Sequence, residues 1–383
     1  MSLLFWILLS LVVYVYAGYP LLLALVRALG GGKRVRCDEQ MTPLVTLVVS
    51  AFNEAAVIGE KIRNCLELDY PVDRLQIVVV SDASDDGTDE VVQGFAARGV
   101  ELLRMADRGG KTVGLNAAVA AARGDVIVFS DANAMYGRDV IRKLVRNFAD
   151  PSVGAAVGES TYADMEVESE RSEGLYWRYE TAIKRLESSI GSVVGGDGAI
   201  YAVRKSLYVP MRADALSDFV NPLQIVQSGH RCVYESAARS YERAADNFGK
   251  EFRRKVRIVN RAWRALWRMK SLLNPFRHGF FAFELFSHKL LRWLVPVFMV
   301  ALLVINLLLL EQGRIYQFAM AAQGGFYLCA ALGYVQRRRA SMLPIFSVPY
   351  YFCLVNIASA LGIVDAFRGK TYTTWNTARS PGT

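Results

Sequence analysis

LQIVVVSDASDDG, residues 75–87, decides the architecture of this chain. Leu75–Ser81 is rich in β-branched residues at consecutive positions, the pattern of a strand covered on both faces. It stops in a cluster of Asp, Ser and Gly suited to a tight turn. The same design flanks it on both sides. Upstream, Val45–Ser50 is an apolar run closed by Ser50-Ala51-Phe52-Asn53-Glu54, and a helix is expected from Ala56 to Leu68. Downstream come a helix over Asp89–Arg98, a short strand over Glu101–Arg104, an alanine-rich helix over Lys111–Ala122, and a strand over Val126–Ser130 that ends at Asp131. Strands alternating with helices predict an α/β fold with a mostly parallel sheet. Ligands in such sheets bind beyond the carboxyl ends of the strands. Asn53, Glu54, Asp82 and Asp131 all fall on that rim.

Two familiar α/β chemistries are excluded here. No Gly-x-Gly-x-x-Gly follows the first strand, so a dinucleotide site is not expected. Gly109-Gly110-Lys111-Thr112 lacks the earlier glycine of a P-loop. Three histidines, scattered at 230, 278 and 288, offer neither a His-rich metal site nor a serine triad. The five cysteines have no metal-like spacing and read as reduced.

Apolar stretches enclose this polar block. Leu3–Val26 has no charge until Arg27, and Trp293–Leu310, Ile315–Val335 and Leu343–Val364 follow near the end. Each is long enough to cross a bilayer. The first lacks the basic start and cleavage site of a signal peptide. Arg27, Lys33, Arg34 and Arg36 after the first span, and Arg337–Arg339 after the third, place the central domain in the cytoplasm. Four full spans would then put the tail outside, whereas Arg368, Lys370 and Arg379 argue for inside, which leaves a re-entrant late segment open.

A basic stretch lies between domain and spans. Lys250–Arg277 holds ten Lys/Arg and one acid, Glu251. On a helical wheel Phe252, Val256, Val259, Trp263, Leu266 and Trp267 share one face, and Arg254, Arg257, Arg261, Arg264 and Arg268 the other. The expectation is an interfacial helix with its apolar side toward lipid. The adjoining spans assign the net charge of +9 to membrane lipids and phosphates, not to nucleic acid.

These motifs, in this order, resemble the membrane-embedded family 2 glycosyltransferases that make cellulose, hyaluronan, chitin oligomers and poly-N-acetylglucosamine. The resemblance runs from Gly18-Tyr19-Pro20 to Thr371-Tyr372-Thr373-Thr374-Trp375. It implies a GT-A domain over 29–249, between a span at 1–28 and interfacial helices at 250–292. C-terminal spans at 293–366 and a tail at 367–383 follow, for about four transmembrane helices. It further implies that Ala51, Asn53, Glu54, Asp82, Lys111 and Asn116 meet the nucleotide. Asp131-Ala132-Asn133 stands where the family has Asp-x-Asp, so Asp131 and Asn133 would hold a divalent cation, Mg²⁺ or Mn²⁺. Asp218, in ALSDFVNPL, takes the place of the general base, with Ser217 where better-known synthases have Glu and Gly229 supporting the register. Gly196 and Asp197, in GGDGAIY, correspond to the acceptor-side loop.

One departure stands out. Processive members carry Gln-x-x-Arg-Trp, and this chain has Arg254-Lys255-Val256-Arg257-Ile258 in register. Arg257, with Arg254, is left to meet the diphosphate, and the aromatic platform is gone. The expected activity is inverting transfer from a nucleotide-sugar, UDP-linked by resemblance, to a saccharide or lipid-linked saccharide at the cytoplasmic membrane. A processive polysaccharide synthase is the alternative, and a catalytically silent membrane scaffold a further one.

Overall fold

The computed structural model describes residues 1–162, 168–242, 248–337 and 342–374. The tail residues Trp375 and Arg379, and the basic pair Arg338 and Arg339, lie outside them. Eight strands form one mixed sheet in the order β3-β2-β1-β4-β7-β6-β8-β5. They are β1 (Val45–Ala51), β2 (Leu75–Ser81), β3 (Val100–Arg104), β4 (Val126–Asp131), β5 (Met135–Tyr136), β6 (Val153–Tyr162), β7 (Tyr201–Arg204) and β8 (Arg231–Glu242). β1 to β4 pair in parallel, as the continuous apolar runs require, and every residue of β1 is buried. β7 runs antiparallel to both β4 and β6 and turns the sheet into a mixed one.

Among the described residues, nine of the helices position the site and the membrane region. The long N-terminal helix α1 covers Ser2–Gly31. Within the α/β block lie α2 (Ala55–Leu66), α3 (Lys111–Ala121), α4 (Glu168–Ile190) and α5 (Ser217–Gln227). The C-terminal third holds α6 (Phe248–Arg268), α7 (Phe280–Leu308), α8 (Arg314–Gln336) and α9 (Pro344–Phe367). Of these, α1, α7, α8 and α9 are each long and apolar enough to cross a membrane. α7 begins before Trp293 because π-turns at Phe286–Leu291 carry it without a break from Phe280. The expected boundary at 292/293 therefore falls inside one helix.

The amphipathic reading of α6 is right in phase and wrong in partner. Val259, Trp263 and Leu266 pack in a core with Phe219 and Leu223 of α5, Phe281 and Trp293 of α7, and Ile363 of α9. Its apolar side faces protein, not lipid, because α9 lies along it. The rings of Phe248 and Tyr350 are 5.1 Å apart, and Asn260 Nδ2 donates to the Gly362 carbonyl at 3.3 Å. Those pairs share one sequence offset, so the two helices run side by side in the same direction.

A polar seam ties α1 and α7 to the sheet domain. Glu187 of α4 is fully buried and accepts from Tyr19 Oη at 2.7 Å and from the Val194 amide at 3.2 Å. His288 contacts Glu187 through Nδ1 at 2.6 Å and Glu180 through Nε2 at 3.2 Å. Arg292 completes the chain as a donor to Glu180. Buried carboxylates are tolerated where ionic and hydrogen-bond partners satisfy them, as here.

Candidate active site

The parallel strands end at one level, which gathers the expected carboxylates. Ser50 sits opposite Asp131 in the β1–β4 register, and its hydroxyl donates to Asp131 Oδ1 at 3.1 Å. Lys111, at the start of α3, donates its ammonium to the same oxygen. Asp82 is buried beyond the end of β2. Its Oδ1 accepts the Gly109 and Gly110 amides at 2.9 and 3.0 Å, and its Oδ2 accepts Gly110 at 3.0 Å. That carboxylate thus fixes the Gly-Gly-Lys turn that aims Lys111 at Asp131, and Asp82 itself lies outside the lining of the neighbouring cavity. Gly110 has φ 89°, and a Cβ there would lie 2.2 Å from the Thr373 carbonyl, so the tail crosses over this turn.

A cavity of about 420 Å³ opens beside this rim. Asp131, Asn133, Lys111 and Glu54 line it together with Gly196, Asp197 and Asp218, and Arg254, Arg257 and Arg261 come from α6. Gly196 donates its amide to the Asp218 carbonyl at 2.6 Å, and a Cβ on Gly196 would stand 2.7 Å from that same oxygen. The glycine is required by this close approach. Burial raises the Asp218 carboxyl above the ordinary aspartate range, the charges of Asp197 and Asp131 add to the rise, and Lys111 opposes it. One oxygen of Asp197 is buried with no hydrogen-bond partner, an acceptor aimed at nothing of the protein's own.

The three arginines do different things. Arg261 is buried; it donates to the Asp214 and Ala215 carbonyls and to Thr112 Oγ1, and burial and the Arg257 charge push it down to about 10. It fastens the segment before Asp218 to the start of α3. Arg254 is held by Glu251, with Nε to Oε2 at 2.6 Å. Arg257 faces the cavity with no carboxylate within ion-pair distance among the described residues. Burial lowers its pKa, as does Arg254, while Asp131 pulls the other way.

Several expected contacts are not brought to the cavity. Asn116 gives its amide to structure: Nδ2 donates to the Met211 carbonyl at 2.7 Å, and Oδ1 accepts from Tyr208 Oη at 2.8 Å and the Met211 amide at 3.0 Å. Asn53, at φ 52°, exchanges hydrogen bonds with Asp85 and lies outside the lining. Ala51 is a buried strand residue whose carbonyl receives the Asp82 amide at 3.0 Å. Other lining residues were not foreseen: Glu242, Tyr176, Trp177, Lys184, His288 and Lys289. Burial and the neighbouring Asp197 and Asp131 push the Glu242 carboxyl up to about 8. Only the net positive charge around them was a signal in the sequence.

Among the described residues no set of three His, Cys, Asp or Glu side chains forms a ready-made metal cage. Asp131, Asn133 and Glu242 all line the cavity and carry hard oxygen donors. Mg²⁺ and related ions are often held this way, by one or two carboxylates completed by substrate phosphate. The donor set fits such an ion.

Known proteins resemble this chain over its sheet domain. Residues 46–207 match the family model "Glycosyl transferase family 2". The chain is 38% identical to the beta-monoglucosyldiacylglycerol synthase of Synechocystis sp. over 117 residues, 30% of this chain and 24% of that protein. It is 23% identical over 220 residues to the poly-beta-1,6-N-acetyl-D-glucosamine synthase of Staphylococcus aureus, 56% of this chain and 53% of that one. The chain thus spans between about a quarter and about half of these relatives' lengths. Among solved structures, mannosyltransferase PcManGT from Pyrobaculum calidifontis, in complex with GDP-Man and Mn²⁺, superposes with a TM-score of 0.72 at 24% identity, covering 96% of this chain and 99% of that one. Residues 46–207 thus match a family 2 glycosyltransferase domain, and the chain as a whole has the GT-A fold of its solved neighbour.

Proposed function

We propose that the protein is an inverting glycosyltransferase that moves a sugar from a nucleotide-sugar, most simply UDP-linked, to a saccharide or lipid-linked saccharide at the cytoplasmic face of the membrane. The observation that carries this reading is the convergence of Asp131, Asp197 and Asp218 with Lys111 and Arg257 on one cavity. Asp218 removes the acceptor proton; a carboxylate raised above its usual range is a stronger base for that step. The hydroxyl attacks the anomeric carbon opposite the departing diphosphate, which inverts its configuration. Lys111 and Arg257 face the leaving oxygens, and such fixed charges are commonly the largest catalytic contribution. A divalent cation at Asp131 and Asn133 would add charge neutralisation of the diphosphate. Asp82 and Glu54 hold the nucleoside end, and Asp197 offers its unpartnered oxygen to an acceptor hydroxyl.

The membrane arrangement follows from the same framework. α1, α7 and α8 cross the bilayer, and α9, lying along α6 with its tail over Gly110, stays on the catalytic side. This course supports a tail and catalytic domain both in the cytoplasm, consistent with the basic residues near Arg27, Arg337 and Arg368. Ile258 in place of an aromatic platform favours one or few additions over a long polymer.

Asp218→Asn tests the base. Transfer by the purified enzyme should fall by about 10²- to 10⁴-fold while donor affinity holds. Turnover within severalfold of wild type rejects the assignment. Wild type should yield a discrete product, and a polymer ladder would instead mark a synthase.

A further inference from the structure

We infer that the acceptor is an anionic lipid, a sugar or polyol headgroup carried on a phosphate, and that Lys184 and Lys289 hold this phosphate beside Asp218. The inference rests on the glycosyltransferase reading and names its acceptor class.

Access is the first observation. A second cavity of about 170 Å³ shares Gly196, Asp218 and Lys289 with the larger one. It continues between Tyr16 of α1, Trp293 of α7 and Asn356 of α9. An acceptor can therefore reach the base from within the helical bundle. A ligand arriving that way is an amphiphile, with its headgroup at Asp218 and its chain among the apolar helices.

Charge is the second. The carboxylates nearby are already engaged, since Glu180 and Glu187 clamp His288 and Glu180 also holds Arg292. Lys184 is 8% exposed, and its Nζ meets the Gly196 carbonyl at 3.3 Å and the face of Trp177 at 5.2 Å, with no carboxylate within ion-pair distance among the described residues. Lys289 makes no hydrogen bond or ion pair among the described residues, and its Nζ would be 3.8 Å from a Cβ on Gly195. Two ammonium groups thus flank Gly195-Gly196, the pair that touches the Asp218 backbone. An ammonium shielded from water without a counter-ion is unfavourable, and an arriving anion offsets that cost. In this reading Lys111 and Arg257 serve the donor diphosphate, which leaves Lys184 and Lys289 for a second anion. A phosphate oxygen can accept from both lysines while the adjoining hydroxyl meets the base.

The full chain in phosphatidylcholine nanodiscs, with a donor chosen by its hydrolysis, is offered three probes. They are glucosyl-diacylglycerol, which is neutral, polyprenyl diphosphate-linked glucose, and phosphatidylglycerol. One phosphate-bearing lipid should exceed the neutral one in kcat/KM by about 10- to 100-fold, the scale of a hydrogen bond to a charged group. Which of the two it is identifies the source of the phosphate. Lys184→Gln and Lys289→Gln should each lower that selectivity about tenfold. Lys289→Arg, which keeps the charge, should retain it and so separates lost charge from lost fold. Equal use of the neutral lipid, or unchanged selectivity in the doubly substituted Lys184→Gln, Lys289→Gln enzyme, overturns the inference. Donor hydrolysis without transfer to either phosphate-bearing lipid overturns it too and leaves the glycosyltransferase reading standing. No donor turnover in any arm removes both.

Discussion

Asp218 carries a proton more readily in the folded protein than in the unfolded chain, and that has two measurable consequences. Catalysis needs the ionised form, so kcat/KM should rise with pH along a limb above the ordinary value of 3.8. Asp197→Asn removes a neighbouring negative charge and should move the limb down; Lys111→Met should move it up. A limb at or below the ordinary value would refute the burial argument. Stability runs the other way. A carboxyl raised on folding stabilises most in acid, and the contribution is lost as pH climbs through the folded value. Glu242 follows the same rule up to about 8. Asp218→Asn should therefore melt higher than wild type at pH 8, the reverse of its effect on turnover. At this scale the placement of Asp131 and Asp218 on one cavity was legible because each ends an apolar run or sits in a recognisable motif, whereas Asp82 is taken up by the Gly109-Gly110 turn. Asn116 was not, because its fate depends on Tyr208 and Met211, about ninety-five residues away.

Elements differ in how openly they announce themselves. β1, β2 and β4 are continuous apolar runs and can be found by inspection. β6 begins with Val, Gly and Ala, β7 is four residues long, and β8 pairs with strands on both sides through irregular register. None of these gives a periodicity to read. α4 is harder still: its charged sequence resembles a solvated helix, yet Glu180, Lys184 and Glu187 all point inward. For α6 the wheel gave the correct apolar face, but a wheel cannot say whether lipid or another helix covers it. The packing makes a definite claim. Leu266 is fully buried between α5, α7 and α9. Leu266→Ala should destabilise the protein by about 2–5 kcal/mol, read from denaturation in detergent. A lipid-facing leucine at that position would show almost no change.

For the whole molecule, four apolar helices need not mean four crossings. If α9 remains beside α6, a cysteine at Lys370 in a cysteine-free background should react with an impermeant maleimide only from the side that carries the catalytic domain. A cysteine at Gly313, in the turn between α7 and α8, should react only from the opposite side. Labelling of Lys370→Cys from the Gly313 side would make α9 a true crossing.

The run of contacts from Tyr19 through Glu187 and His288 to Arg292 has a practical corollary. Cut out residues 29–249 for expression as a water-borne fragment, and Glu187 keeps its place but loses its phenol and its imidazole together. Ile183 and Ile190, which Tyr19 and Leu23 now cover, would be laid bare at the same stroke. Enzymologists should expect such a fragment to clump or to sit idle, and should purify the whole chain in a lipid or detergent surround.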